Sequence, residues 1–487
     1  MTERPEGWVP RRQSSNHARL VAYDALRAVN TEDAYANLIL PGMVSRARLN
    51  RSDAAFATNL AYGTLRLQGR WDAMIARCSQ GRTLAEIDPR ALDLLRLGCY
   101  QLIELKTPPH AAINETVALA RNELGQGIAG FVNAVLRRVS ERRDAWRGII
   151  ENSTASREEF LAVWHSHPRW IVRQLEAALA VAGRSTEVEA VLEANNTPAK
   201  VALACRNISP EHLKARIERA KMTWENPYLV PSAVLLASGD PHRLWPVRDG
   251  VAGVQDEGSQ LISAVVTEAS ISGKDESWLD MCAGPGGKTA TIAATAARRG
   301  ARVFANEPQA HRLDLVEENV APWADTVALR EGDGRDIGAQ EPDSYDRILV
   351  DAPCSGLGAL RRRPEARWRK KESDLAALTQ LQGELLDSAY RALRPGGLLL
   401  YTTCSPVLAE TRDVISAFLE RTAGAELGDV TVTANRRALR PVASRGMTVQ
   451  LWSDIHHTDA MYMARILKPA TAPPARRTAL LKGPSWT

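Results

Sequence analysis

ESWLDMCAGPGGKTATIAATAARRG, residues 276–300, begins as an apolar strand and ends as a helix that stops at Gly300. Between them lies a glycine-rich turn. Gly284, Gly286 and Gly287 let the backbone come close to a ligand, and the start of the helix offers free N–H groups to an anion. Three nucleotide readings compete for such a turn. An ATP loop needs a glycine five residues before Gly287, where Cys282 stands. A dinucleotide loop needs a third glycine where Thr289 stands. The reading that remains is S-adenosylmethionine, with its carboxylate at the turn.

The segments downstream repeat the strand-then-helix order. ARVFANE, TVALREG, DSYDRILVDAP and GLLLYTTC read as strands, and QAHRLDLVEENVAPW and SDLAALTQLQGELLDSAYRAL as helices. Ser373 is the expected N-cap of the long helix, with Gly396-Gly397 past its end. Alternation of this kind predicts an α/β fold with a parallel, doubly wound sheet. Ligands bind such sheets at the C-terminal ends of the strands.

Candidate residues gather at those ends. Glu307 closes FANE about twenty residues after the turn, where an acid can accept from both ribose hydroxyls. Asp333, in EGDGRD, is a candidate contact to an adenine amino group, although aspartate between glycines is also ordinary turn chemistry. DAPCSGLG (351–358) and YTTCSP (401–406) each set a cysteine just past a strand. One such cysteine reads as a small buried hydrophobe. Two on one sheet, beside this loop, read as chemistry. A thiolate suits addition to C6 of a pyrimidine, which makes C5 nucleophilic enough to take a methyl group. Expelling the sulfur afterwards needs a base and a group that stabilises charge on the ring. Cys354, Cys404 and Asp351 match that division of labour.

The rest of the 487-residue chain suggests about two to four domains. Residues 1–16 read as a flexible N-terminus and 471–487 as a flexible tail. Residues 17–145 read as all-helical, in HARLVAYDALRAVN, RALDLLRLGCYQLIEL and GFVNAVLRRVS. Pro108-Pro109 separates the second of these from AINETVALARNEL, where Asn114 is the expected N-cap. Residues 146–255 read as a small α/β connector, with AKVALACRNI a strand and ISPEHLKARIERA a helix begun by Ser209 and Pro210. Residues 256–470 hold the alternating region.

Composition is that of a soluble globular protein, 45% hydrophobic and 24% charged. There is no run of eighteen apolar residues to span a membrane and no signal-like start. Six scattered cysteines without disulfide-like or zinc-like spacing point to a reduced, cytoplasmic protein with no metal site. Net charge is only +5, but residues 361–371 carry seven Arg or Lys and one Glu. Such a run is either a solvated face or a phosphate-binding patch.

DMCAGPGGKT, DAPCSGLGALRRRPEARW and YTTCS resemble the signature motifs of RNA (cytosine-5)-methyltransferases. INETVALAR and GFVNAVLRRV, within 17–140, resemble the NusB RNA-binding fold. HPRWIVRQL, EANN and VQDEGSQL are similar to the family's connecting segment. A NusB-like domain joined to this catalytic domain is the arrangement of the RsmB (Sun/Fmu) family of 16S rRNA (cytosine-5)-methyltransferases, and the resemblance covers nearly the whole chain. It implies a Rossmann-like methyltransferase domain, S-adenosylmethionine as cofactor and RNA, 16S rRNA first, as partner. By position it implies Cys404 as nucleophile, Cys354 as the cysteine that assists release, and Asp351 as contact to the base near the methyl donor. Cys282, Ala283, Gly284, Pro285, Gly286, Gly287 and Lys288 correspond to the cofactor loop, which Glu307 and Asp333 complete.

The chain departs from the family in small ways. Gly284 stands where alanine is more usual, Glu307 where aspartate is commoner, and HHTDAMYMARIL replaces a GDGFF pattern. None of these touches the thiols. Arg361, Arg362, Arg363, Arg367 and Arg369 are the expected RNA landing surface. Three rivals are the same chemistry on tRNA, a NusB-type RNA-binding factor with an inactive methyltransferase body, and a nucleotide-dependent ATPase.

Overall fold

A computed structural model describes residues 17–442 and 446–470; the flexible ends expected at 1–16 and 471–487 lie outside the described residues. The chain divides into two compact units. The first holds residues up to 176, with 186–198 and 360–370; the second holds 177–185, 199–359 and the chain from 371 onward.

The first unit is built of helices, among them His17–Thr31, Arg51–Arg66, Pro89–Ile103, Pro109–Leu124 and Gln126–Glu141. Pro89–Ile103 is buried at every residue from Ala91 to Leu102, as befits a helix surrounded by others. Asp93, buried within it, holds Arg27 at 2.8 Å and Arg96 at 3.0 Å, so its charge is paired. Pro108-Pro109 does separate two helices, but Asn114 is not a cap. The second helix starts at Pro109 with Pro108 in the cap position, and Asn114 lies inside it. Proline is tolerated there because a first-turn N–H has no intrahelical partner.

The segment expected as one connector is divided. Helices Trp146–Ser153 and Arg157–Trp164 belong to the helical unit. So does helix Val188–Asn196, and only from residue 199 does the segment make an antiparallel sheet, of β1 (Val201–Cys205), β2 (Thr223–Glu225), β3 (Ala233–Ser238) and β4 (Ala252–Val254), in the order β2-β3-β1-β4. The expected helix runs Pro210–Arg219, with the Ser209 hydroxyl accepting the His212 N–H.

The large sheet contains β5 (Ser277–Asp280), β6 (Arg302–Glu307), β7 (Val327–Glu331), β8 (Tyr345–Asp351), β9 (Leu393–Thr403), β10 (Glu426–Gly428), β11 (Val449–Gln450) and β12 (Tyr462–Leu467). Its order is β10-β12-β9-β8-β5-β6-β7, with β11 on β12. The five strands β5 to β9 pair in parallel, as alternation predicts. β10, β11 and β12 are antiparallel, so the sheet is mixed. Strand side chains alternate between two cores: Leu398 and Leu400 pack on one face, Leu399 and Tyr401 on the other.

Helix Asp374–Ala392 follows Ser373 as expected, but Ser373 makes no side-chain cap bond. Gly396 and Gly397 lie past the end of the helix as expected. β9 already begins at Leu393 and includes both, with Gly396 at φ +78°.

Candidate active site

The turn after β5 is held by its neighbours. The Ala283 N–H donates to Asn306 O at 2.9 Å. Asn306 Nδ2 donates to Met281 O at 3.1 Å and Gly332 O at 2.9 Å, tying together the ends of β5, β6 and β7. Gly286 has φ +100°, and a Cβ there would lie 2.8 Å from Val316 Cα, so only glycine fits. A Cβ on Gly284 would lie 2.3 Å from the Glu307 carboxylate. Its absence lets Glu307 Oε2 accept the Gly284 N–H at 3.1 Å. Arg312 clamps the same place, donating to Gly284 O at 2.8 Å and facing Glu307 at 3.3 Å. Pro285 O accepts from Asn319 Nδ2 at 3.0 Å, and helix Gly287–Arg299 then begins.

Burial pushes the Cys282 thiol well above its usual range, which leaves it a neutral lining group. Asp280, at the end of β5, is fully enclosed. Burial pushes its carboxyl up to about 6, although the Thr289 hydroxyl donates to it at 2.7 Å.

Lys288 reaches the end of β8, where Nζ meets Asp351 Oδ2 at 2.7 Å. Burial works against the ammonium, but the Asp351 carboxylate outweighs it and raises the Lys288 pKa. The other Asp351 oxygen accepts from Thr402 Oγ1 at 3.0 Å.

β8 and β9 are neighbours, with Asp351 opposite Thr402, so their ends arrive together. Cys354 Sγ and Cys404 Sγ are 3.4 Å apart. The contact with Cys404, followed by burial, pushes the Cys354 thiol well above its usual range. Gly358 braces the second cysteine: its N–H donates to Cys404 O at 2.9 Å, and its carbonyl accepts from Ala460 N at 2.9 Å. A Cβ on Gly358 would lie 2.1 Å from Ala460 O.

Glu410 escaped the reading of the sequence. It is fully buried, and it accepts the Ser355 N–H at 2.6 Å, the Ser355 hydroxyl at 2.5 Å and the Ser405 hydroxyl at 2.6 Å. It therefore clasps the residue after each cysteine. The available signal was the repeated Cys-Ser pair, with a glutamate a few residues beyond the second.

Two groups of expected residues are placed differently. Asp333 caps helix Gly334–Gln340, and its carboxylate is held by Arg335 at 2.6 Å. The basic run is not an open face. Arg367 is fully buried in the helical unit, donating to Ser166 O at 2.9 Å and Asn196 Oδ1 at 2.8 Å. Burial, then the nearby Arg66, lowers its pKa to about 9. Arg369 donates to Val29 O, Asp33 O and Ala34 O, at the end of the first helix, whose last carbonyls lack intrahelical partners. Arg361 is buried, Arg362 half-buried and Arg363 exposed above Tyr35. Guanidinium forks suit helix-end carbonyls, so the run works largely as an anchor.

A Mycobacterium tuberculosis protein named as a methyltransferase, Rv1407, is 44% identical over 96% of this chain and 99% of its own length. Ribosomal RNA small subunit methyltransferase B of Pseudomonas syringae pv. tomato is 34% identical over 93% and 97%. A family model described as 16S rRNA methyltransferase RsmB/F matches residues 271–467. This chain belongs to the RsmB/F methyltransferase family. A NusB family model matches residues 16–141, so this RsmB/F member carries a NusB domain ahead of an RNA methyltransferase domain. The crystal structure of PH0851 shares the fold, with a TM-score of 0.77 at 20% identity over 94% of this chain and 100% of that one. NSun6 from Pyrococcus horikoshii gives 0.50 at 18% identity over 61% and 97%.

Proposed function

We propose that the protein transfers a methyl group from S-adenosylmethionine to C5 of a cytidine in 16S rRNA, through a bond between Cys404 and C6 of the base. The observation that carries this reading is the pair of thiols 3.4 Å apart beside the Lys288–Asp351 ion pair. Methylation of an oxygen or a ring nitrogen needs no cysteine, whereas addition followed by elimination needs a thiolate nucleophile and a second group to handle the proton, and two adjacent thiols can divide those tasks.

The residues of the glycine turn fit the cofactor. A Cβ built on Gly287 would meet no other part of the chain within 4 Å, and Asn306 Oδ1 is buried without a partner beside the turn. The turn would hold the amino-acid end, Glu307 the ribose and Asp333 the adenine amino group. Glu307 Oε2 accepts one hydrogen bond, from the Gly284 N–H, and keeps acceptor capacity for another, whereas Asp333 would have to turn away from Arg335 to reach the cofactor. When bound, S-adenosylmethionine supplies a methyl carbon on a positively charged sulfur.

Cys404, as thiolate, bonds to C6, and the electrons of the C5–C6 double bond move into the ring. The Lys288–Asp351 pair meets the charge that builds on the N3 side. C5 then takes the methyl carbon as the carbon–sulfur bond of the donor breaks. Cys354 gives its proton to the departing Cys404 sulfur and takes the proton leaving C5. The aromatic ring is restored, and both protein sulfurs return to their starting level of protonation once Cys404 loses its proton to solvent.

The test is methyl transfer in vitro with tritiated S-adenosylmethionine, offering 16S rRNA and tRNA separately. Label in 5-methylcytosine of 16S rRNA is the expected result. Label confined to tRNA overturns the substrate, and no transfer to either RNA overturns the activity.

A further inference from the structure

A cleft of about 570 Å³ lies in the second unit, where β1 of the small sheet meets the helix Gly287–Arg299. Arg206, Arg216, Arg298, His212 and Trp245 line it. Among the described residues, none of the three arginines is ion-paired with a carboxylate. Arg298 donates to Arg206 O at 3.2 Å and to the Thr295 hydroxyl at 3.1 Å, both neutral. Arg216 lies over the Trp245 indole, 5.5 Å from its centroid.

Arg206 is the informative member. It is only 5% exposed. Its Nη atoms reach Gly250 O and Gly287 O at 3.5 Å, the outer limit of a hydrogen bond, and its Nε is buried with no partner. Burial lowers its pKa to about 10, with no acid to offset it. A buried guanidinium left this poorly satisfied is costly unless an anion completes it. Trp245 is 39% exposed, so part of its ring is open to a ligand.

We propose that this cleft seats the phosphodiester backbone of the RNA substrate, with one unstacked base laid on the Trp245 indole. Unpaired arginines beside an exposed aromatic ring match the chemistry of a single strand: phosphate charge plus a sequence-tolerant stacking surface. The inference rests on RNA as the substrate and adds a second holding point for it. Arg206 touches the carbonyl of Gly287, the residue before Lys288, so the strand would be gripped against the helix that carries the catalytic lysine. A free mononucleotide offers similar chemistry, and the test separates the two.

The test uses the full chain and a fluorescently labelled single-stranded RNA of about twenty nucleotides, followed by anisotropy across a salt series. Arg216→Ala with Arg298→Ala should weaken binding about tenfold near 0.15 M salt and flatten the log K against log salt slope by roughly 0.7 per lost phosphate contact. Trp245→Ala should weaken binding severalfold, and Trp245→Phe should restore most of it. Arg219→Ala with Arg299→Ala removes the same two charges from the same two helices outside the cleft and serves as control. Retained S-adenosylmethionine affinity reports that each variant is folded. If the Arg216→Ala, Arg298→Ala variant matches that control in affinity and slope, the cleft is not an RNA site. Displacement of the RNA by AMP at micromolar concentration would equally overturn the proposal, in favour of a mononucleotide. These readouts are binding measurements, so methylation of tRNA instead of 16S rRNA would sink the proposed substrate and leave them untouched.

Discussion

Cys354 Sγ lies 3.4 Å from Cys404 Sγ, at the ends of two adjacent parallel strands whose register sets Asp351 opposite Thr402. A single substrate carbon can therefore be reached by one sulfur while the other stands within proton-transfer distance. Cys404→Ala should abolish methyl transfer. Cys354→Ala should still form the bond to C6 but fail to release it, leaving a protein–RNA adduct that survives denaturing electrophoresis. Normal turnover without adduct in the Cys354 variant would falsify the division of roles.

Glu410 joins the two cysteine loops through Ser355 and Ser405. In Glu410→Gln an amide replaces a carboxylate that faces only donors. The expected loss is about 2–4 kcal/mol of stability, measured by urea unfolding. The thiols should also be less well aligned, with kcat falling more than S-adenosylmethionine affinity. A variant as stable and active as the parent would remove Glu410 from the argument.

Lys288 and Asp351 act as a pair, joined at 2.7 Å. Lys288→Met should lower kcat by about a hundredfold or more, because a charge-stabilising group in a shielded site contributes on that scale. Cofactor affinity, measured by calorimetry, should change much less. A loss confined to cofactor binding would make Lys288 a structural part of the turn.

Asp280 has its carboxyl raised from 3.8 to about 6, mainly by burial. Between those values the folded chain keeps a proton that the unfolded chain has released. Stability from this group thus rises as pH falls through 6 and is lost above it, by on the order of 3 kcal/mol. Asp280→Asn keeps an acceptor for Thr289 and removes the titration. Its melting temperature should exceed the parent's at pH 7 and converge with it near pH 4. A constant difference across that range would mean that Asp280 does not titrate there.

Arg367 is an anchor of the helical unit. Arg367→Ala should cost about 3 kcal/mol, since it strips a buried fork from several acceptors. The salt slope of RNA binding by the folded variant should stay as it is. A shallower slope would return Arg367 to the RNA surface.

The local signals in the sequence were strong where chemistry and backbone geometry coincide. Gly286 must adopt a positive φ against Val316, and Gly300 ends its helix the same way. Both could be read because glycine is the residue such positions require. The strand–helix alternation from 276 to 403 likewise announces parallel pairing, because each crossover needs its helix. β12 was not legible. It joins β9 through residues some sixty positions apart in the chain, and an antiparallel edge strand leaves no local mark. Charge was the least legible property. RRRPEARWRKK looks like a surface in one dimension, yet Arg367 and Arg369 end on the carbonyls of Ser166 and Val29, far away in the chain.

Sequence alone therefore determined the residue types of the site and their assignment to strand ends, since motif spacing and backbone propensity are local. Tertiary structure decided which of those residues meet. The two sulfurs come together because β8 and β9 are neighbours in register, Glu410 matters because the chain folds back between the loops, and Arg206 lacks an acid because none packs against it. Proximity and desolvation depend on the whole packed unit, and no stretch of sequence carries them.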